Sequence, residues 1–246
     1  GRVYKFNSLY HRVFSLFPFE SQLLKKHGVN FSYVGHPLAK NLSVDSNEEE
    51  LKKNLGIPLD KKVIAILPGS RKSEIYHHSK PLVDFINIYK NQNADVEIIL
   101  ALNKESDLSG ELKQLSKKIS VIYDSSQKVL ASCDIAIVAS GTATLEAAIL
   151  AKPMVVIYKS NKLSNFILSN FFLKTKFISL PNILSQEKIV FELRQNQVSG
   201  KEISEKVELT FKNQEVIAKK LSLIRDSLLV KDSNKFSIAL KEILAK

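Results

Sequence analysis

The 246-residue sequence predicts an α/β fold built on a doubly wound parallel sheet. Two observations support this fold class. Short apolar runs recur through the middle of the chain without polar alternation, and segments of helical character separate them. Strands that are apolar at every position are buried on both faces, as happens when helices cover both sides of a parallel sheet.

The N-terminal part is expected to form a strand–helix–strand unit followed by a linker. The run GHPL at 35–38 is expected to break the pattern, and a polar stretch after it leads into a charged helix at about 47–54. Gly56 and Pro58 then mark a boundary. The elements expected before the break are strands at 13–17 and 31–34 and a helix at about 20–26.

Beyond that boundary, strands and helices are expected to alternate regularly. The predicted strands are 62–69, 96–102, 119–123, 134–140 and 153–158. The predicted helices are 72–91, a polar helix before 119, 125–133 and 143–151. From about residue 201 onward the pattern is helical only.

The net charge of +11 predicts an anionic partner such as nucleic acid, a membrane surface or a phosphorylated substrate. Residues 147–186 contain no Asp or Glu but five lysines, and they include the apolar run LSNFILSNFFLK at 163–174. Large apolar side chains rimmed by lysines suit an acidic bilayer surface or an acylated ligand. The same pattern also fits a helix packed between domains with solvated lysines.

Composition argues against several classes of protein. The sequence has no run of about 18 apolar residues, so we expect no transmembrane helix. The charged N-terminal stretch lacks the apolar centre of a signal peptide. The single cysteine, Cys133, excludes an internal disulfide, fits a cytoplasmic protein and is expected to be a small core residue. The histidines show no metal-ligand spacing, so no metal site is expected.

The stretch IAIVASGTATLE at 135–146 predicts a strand, a turn and the start of a helix. Backbone N–H groups at Ser140, Gly141 and Thr142 would favour an anion such as phosphate, because a helix N-terminus leaves them unpaired. Glu146 follows one helical turn later, where its carboxylate suits the hydroxyls of a ribose. The alternative is an ordinary strand-to-helix turn with Glu146 solvated.

A second turn with the same features ends the strand segment at 62–69, at Pro68 and Gly69. Gly69 allows close approach of a ligand to the backbone, Ser70 can contact an oxygen, and Arg71 offers a planar set of donors matched to phosphate. Both turns are expected at the carboxyl ends of strands, where open α/β sheets bind ligands. Together they favour a nucleoside diphosphate, although Arg71 also fits a surface arginine at a helix start. Neither turn matches the P-loop or the dinucleotide-binding fingerprint.

A weaker cluster is SLPNIL at 179–184. Asn182 follows a proline at the end of a short apolar run that is read as a strand, so its amide could be presented to a ligand. An asparagine that merely forms a turn is the alternative.

Five motifs together resemble bacterial lipid-A-disaccharide synthases in order and spacing, from residue 1 to the C-terminus. They are PFE (18–20), VGHPLAK (34–40), LPGSRKSEI (67–75), VASGTATLEAAILAKPMVVIYK (138–159) and SLPNIL (179–184). The resemblance implies a GT-B fold, in which two Rossmann-like domains face a cleft. It also implies an inverting transfer of 2,3-diacylglucosamine from its UDP derivative to 2,3-diacylglucosamine 1-phosphate, with no metal and no cofactor.

The resemblance further implies a division of the chain. Residues 1–40 would be the remnant of an N-terminal Rossmann-like acceptor domain, and 41–200 a complete C-terminal UDP-sugar-binding domain. Residues 201–246 would be helices that cross back to the N-terminal domain. The family's general base is expected in the N-terminal part that this sequence does not contain, so no catalytic base is assigned. The carboxylates of Asp124 and Asp134 match no family role.

Roles for individual residues follow from the resemblance. Gly69, Ser70 and Arg71 would contact the UDP diphosphate, and Arg71 would stabilise the leaving phosphate. Ser140, Gly141 and Thr142 would lie at the phosphate or sugar, and Glu146 at the ribose. Asn182 would help to order the donor site. His36 would lie at the interdomain crossover, either as a cleft residue or as part of a hinge.

The expected setting is the cytoplasmic face of the inner membrane of a Gram-negative bacterium, with peripheral attachment. The expected partners are the two acylated sugar substrates and, in a homodimer, a second copy, but not nucleic acid. Two alternatives stay open. One is another GT-B enzyme, either a UDP-N-acetylglucosamine epimerase or the transferase of the peptidoglycan lipid precursor. The other is a non-catalytic basic binding module.

Overall fold

A computed structural model describes residues 9–42, 47–105, 108, 110–115, 119–160 and 176–229. The strands in these ranges are β1 (Val13–Ser15), β2 (Phe31–Tyr33), β3 (Lys62–Leu67), β4 (Val96–Ala101), β5 (Ser120–Ile122), β6 (Ile135–Ala139), β7 (Met154–Tyr158) and β8 (Phe191–Arg194). The helices are α1 (Pro18–Lys26), α2 (Pro37–Asn41), α3 (Glu48–Asn54), α4 (Lys72–Gln92), α5 (Gly110–Leu115), α6 (Ser126–Ala131), α7 (Ala143–Ile149), α8 (Leu180–Ser185), α9 (Gly200–Lys212) and α10 (Gln214–Leu228).

Six strands form one parallel sheet in the order β5-β4-β3-β6-β7-β8. The chain enters at β3 in the centre, proceeds outward to β5, returns to β6 beside β3 and then proceeds outward to β8 on the other side. The strand order therefore reverses between β3 and β6, which is the topological switch point of a doubly wound sheet. The predicted fold class is confirmed.

Alternate residues of the central strand pack on opposite faces of this sheet. Val63 and Ala65 belong to a core that also contains buried residues of α6, α7 and α10. Ile64 and Ile66 belong to a second core, formed with α4, α5 and α9. All four side chains are fully buried, which explains why these strands are apolar at every position.

Helices α4 and α9 approach each other closely at Gly200. A Cβ atom at this position would lie 2.6 Å from the backbone carbon of Asp84 and 2.6 Å from the backbone nitrogen of Phe85. Such distances are shorter than side-chain carbons tolerate, so only glycine permits this packing. The contact holds α9 against the helix that begins at the first predicted anion-binding turn.

The N-terminal unit is a parallel pair of strands, β1 and β2, joined through α1. It contacts the end of α10 through two hydrogen bonds. The Tyr33 hydroxyl donates to the carbonyl oxygen of Ser227 over 2.7 Å, and the His36 backbone N–H donates to that of Leu228 over 3.1 Å. The division at residues 40 and 200 stays a prediction.

The structure corrects two local predictions. Helix α2 begins at Pro37, inside the run that was expected to break the pattern. A proline fits the first turn of a helix, and His36 caps this one, since its Nδ1 accepts the Leu38 N–H over 3.2 Å. Asn182 lies in α8 rather than at the end of a strand, because Pro181 likewise occupies the first turn of a helix.

Two further predictions concern buried and apolar segments. Cys133 is fully buried, which confirms it as a core residue, and burial raises the pKa of its thiol to about 12. Among the residues described, no helix is both long and apolar enough to cross a bilayer. The apolar, lysine-rimmed run at 163–174 lies outside the described residues.

The edge strand β8 was not predicted, and its Glu192 organises the segment that leads into α8. Its carboxylate accepts the backbone N–H of Ile178 at 3.1 Å and both the N–H and the hydroxyl of Ser179 at 2.9 and 2.6 Å. It also accepts the side-chain amide of Asn182 at 2.9 Å and the guanidinium of Arg194 at 3.0 Å. The Glu192 side chain is only 7% exposed, so these donors replace water around it.

We predict that Glu192→Gln lowers the free energy of unfolding by about 2 kcal/mol, because charge-assisted bonds are lost and the new NH₂ group faces other donors. Urea denaturation of the full chain measures this change. Glu187→Gln is the matched control, since the Glu187 side chain is 64% exposed and its carboxylate pairs with Lys220 at 3.2 Å. Equal unfolding midpoints for the two variants would contradict the role of Glu192.

Candidate functional site

A cleft of about 410 Å³ opens at the switch point between β3 and β6. Its walls are the carboxyl ends of β3, β4 and β6 and the starts of α4, α6 and α7. Seven of the predicted site residues line it: Gly69, Ser70, Arg71, Ser140, Gly141, Thr142 and Glu146. The two predicted turns therefore face one space, as the strand order requires.

The first turn holds an anion of the protein itself. The backbone N–H groups of Ser70 and Arg71 point to Oε2 of Glu74 at 3.2 and 3.4 Å, and the Arg71 guanidinium donates to Oε1 at 3.0 Å. The φ of Gly69 is +121°, and a Cβ there would lie 2.7 Å from the same Oε2. The donors that were predicted for phosphate thus already bind a carboxylate.

The second turn presents open backbone donors. In the described part of the chain, the N–H groups of Gly141, Thr142 and Ala143 have no hydrogen-bond partner. They precede or begin α7, and a Cβ on Gly141 would meet no atom within 4 Å. Free donors beside open space are what an incoming oxyanion requires.

Ser140 supports this turn rather than offering its own polar atoms. Its hydroxyl donates to the carbonyl oxygen of Ile178 at 2.8 Å, and its N–H donates to that of Ile157 at 2.9 Å. Thr144 adds a second link to the same segment, because its hydroxyl oxygen accepts the Leu180 N–H at 3.3 Å. The segment anchored by Glu192 therefore holds the second turn in place.

Glu146 is partly buried and held from the side. Its Oε2 accepts the hydroxyl of Ser126, at the start of α6, over 2.6 Å. Its other oxygen has no hydrogen-bond partner within the described ranges. The carboxylate is thus fixed at the cleft wall with one oxygen available, which differs from a freely solvated glutamate.

Sequence reasoning missed four polar residues of the cleft: Glu74, Asn103, Asp124 and Ser126. Asn103 and Asp124 follow β4 and β5 closely, so their position after two neighbouring strands of one sheet was the available signal. The Ser125 N–H and Lys128 hold the pKa of Asp124 below its usual range. Asp134 is elsewhere, where its carboxylate accepts the Val63 N–H at 2.8 Å and joins β3 to β6.

Two predicted substrate-binding residues are not brought into the cleft. Asn182 is fully buried; besides Glu192, its side chain bonds the backbone of Ile189 and Val190. Direct contact with a ligand does not fit this arrangement, whereas ordering of the segment behind the second turn does. His36 caps α2, and its ring centroid is 5.1 Å from that of Phe17. Burial lowers the pKa of His36, partly offset by Glu20.

The donor set of the cleft consists of backbone N–H groups, one guanidinium and separate carboxylates. No cluster of three or more His, Cys, Asp or Glu side chains suited to a metal occurs in the part of the chain that the structure describes. The expectation of a reaction without metal or cofactor stays a prediction. What the cleft offers is anion binding beside a carboxylate.

Solved structures share the fold of this chain. The wall teichoic acid polymerase TagF matches with a TM-score of 0.57 at 16% identity, over 99% of this chain and 60% of its own. A UDP-GlcNAc 2-epimerase from Neisseria meningitidis, solved bound to UDP-GlcNAc, matches with a TM-score of 0.62 at 13% identity, over 98% of this chain and 63% of its own. At such identities the likeness shows the fold alone, which is of the GT-B type.

Sequence comparison identifies the family. The lipid-A-disaccharide synthase of Colwellia psychrerythraea is 36% identical over 211 residues, which cover 82% of this chain and 52% of that protein. The chain thus spans about half the length of the curated relatives it matches. The family model "LpxB: Lipid-A-disaccharide synthetase" matches residues 1–245. This chain belongs to the lipid-A-disaccharide synthetase family.

Proposed function

We propose that the cleft binds a UDP-sugar and that the chain is the donor-binding part of a lipid-A-disaccharide synthase. The observation that carries this proposal is the convergence of the two turns at the switch point. One brings Gly69, Ser70 and Arg71, and the other brings the free N–H groups after Ser140 together with Glu146. Family membership supports the same conclusion.

The proposed binding mode matches each part of UDP to one kind of group. The diphosphate accepts hydrogen bonds from the N–H groups of both turns and from the Arg71 guanidinium. At the first turn it replaces Glu74 as the acceptor. The ribose hydroxyls donate to the available oxygen of Glu146. UDP-GlcNAc bound in the epimerase of the same fold is consistent with this class of ligand.

The proposed reaction is an inverting transfer of 2,3-diacylglucosamine. A hydroxyl of 2,3-diacylglucosamine 1-phosphate attacks the anomeric carbon as the bond to the UDP oxygen breaks, giving lipid A disaccharide 1-phosphate and UDP. Negative charge grows on the leaving phosphate, where Arg71 and the turn N–H groups stabilise it. A base must take the proton of the hydroxyl, and we assign that role to no residue of this chain.

The alternatives that the sequence left open receive less support. The epimerase shares the fold at 13% identity, whereas the lipid-A-disaccharide synthase of Colwellia psychrerythraea is 36% identical. No observation favours a transferase of the peptidoglycan lipid precursor. A basic nucleic-acid module leaves both anion-binding turns unexplained.

We further propose peripheral attachment to the cytoplasmic face of the inner membrane of a Gram-negative bacterium, and assembly as a homodimer. The net charge of +11 and the acid-free stretch at 147–186 support attraction to anionic lipid. Co-sedimentation with anionic vesicles tests the attachment, and absence of binding at low salt argues against it. Sedimentation velocity tests the dimer.

Arg71→Ala is expected to weaken UDP binding by about 2 kcal/mol, or about thirtyfold in Kd, because a charge-assisted pair with phosphate is lost. Calorimetry with UDP on the full chain measures this. Lys72→Ala is the matched control: it removes the same charge from the neighbouring exposed position, which does not line the cleft. Equal affinities for both variants would refute the diphosphate assignment.

Glu146→Gln is expected to reduce the preference for ribose. Wild type should bind UDP more tightly than at least one of the analogues 2′-deoxy-UDP and 3′-deoxy-UDP. The weaker analogue is the one that lacks the hydroxyl that donates to the Glu146 carboxylate. In Glu146→Gln that difference should shrink by about 1 kcal/mol, about fivefold in Kd. An unchanged preference in the variant rules out Glu146 as the ribose ligand.

A further inference from the structure

A fully buried histidine joins the first turn to a strand that does not adjoin it. His78 lies in the second turn of α4 and is 1% exposed. Its Nδ1 is 2.7 Å from the carbonyl oxygen of Pro68, and its Nε2 is 3.0 Å from the backbone nitrogen of Lys159. A carbonyl only accepts and an N–H only donates, so the imidazole is neutral with its proton on Nδ1.

The two partners of His78 belong to different parts of the sheet edge. Pro68 directly precedes Gly69 of the first turn, and Lys159 directly follows β7. Strand β6 separates β3 from β7, so no ladder hydrogen bond connects these two positions. The imidazole therefore spans the end of β6 and ties the backbone of the first turn to the end of β7.

We propose that His78 is a positioning residue of the donor site, which fixes the first turn while its imidazole is neutral and releases it on protonation. This inference rests on the proposed function, because the turn that it fixes is the proposed diphosphate site. A proton on Nε2 would remove the lone pair that accepts the Lys159 N–H. It would also place a charge where almost no water reaches.

The electrostatic surroundings agree with a neutral imidazole. Burial has the largest effect and lowers the pKa of His78. The hydrogen bond to Pro68 and the charge of Glu74 raise this pKa, whereas His77 and Lys159 lower it further. The folded pKa therefore lies below the ordinary 6.5. As pH falls below that ordinary value, the unfolded chain takes up the proton first, so the contribution of His78 to stability is lost toward acid pH.

The test follows the affinity for UDP-GlcNAc in the full chain from about pH 8 down to the acid pH at which NMR shows His78 to be protonated. This probe is chosen because, unlike UDP, it has no terminal phosphate that titrates in the range. Wild type should lose at least about tenfold in affinity at the lower pH, where His78 carries its second proton. His78→Gln keeps one donor and one acceptor but does not titrate, so it should change less than about threefold. His77→Gln, at the neighbouring partly exposed position, is the matched control and should behave as wild type.

A second readout needs no ligand. Nitrogen NMR of His78 should show the Nδ1–H tautomer, and its titration should move the amide signals of Gly69 and Lys159. The pH profiles of wild type and His78→Gln decide the proposal, and identical profiles overturn it. If wild type fails to bind UDP-GlcNAc at about pH 8, the proposed function fails. The role of His78 is then judged by NMR, where a titration that leaves both amides unmoved overturns it.

Discussion

Parallel pairing of β3 with β6 determines the geometry of the cleft, because it places the ends of two strands from different halves of the sheet side by side. The pairing runs from Ile64 opposite Ile135 to Leu67 opposite Val138, so both strands end at the same level. Each then enters a glycine-containing turn and a helix. Two sets of helix-start N–H groups consequently face one space, which neither turn could form alone.

Support for the second turn comes from the far edge of the sheet. Glu192 on β8 gathers the backbone of Ile178 and Ser179, and that segment in turn bonds Ser140 and Thr144. A buried carboxylate thus acts on the cleft through two layers of hydrogen bonds. A carboxylate thus supports each turn, Glu74 directly and Glu192 through the intervening segment, and the imidazole of His78 also bonds the first turn.

Elements encoded in one continuous run of sequence could be predicted. The apolar strands and the turns at Gly69 and Gly141 are of this kind. Strand β8 could not be predicted, because it contains a buried glutamate. Glu192 can be buried because hydrogen-bond donors from the segment at 178–182 satisfy its carboxylate. Asn182 was misplaced for the same reason, since the groups that satisfy its amide lie at 189–192. The contact of Glu74 with the first turn could have been predicted, because a glutamate at the third position of a helix has the spacing of a capping box.

The charged side chains that line the cleft from the two turns already have internal partners. Arg71 binds Glu74, and Glu146 accepts the hydroxyl of Ser126. Side chains that are held before a ligand arrives lose little rotamer freedom when it binds. In the proposed binding mode, binding is therefore an exchange in which phosphate must outcompete the Glu74 carboxylate for the donors of the first turn. We expect selectivity to follow from that competition, because a single weak anion gains little over Glu74, whereas a diphosphate that reaches both turns gains the free donors as well.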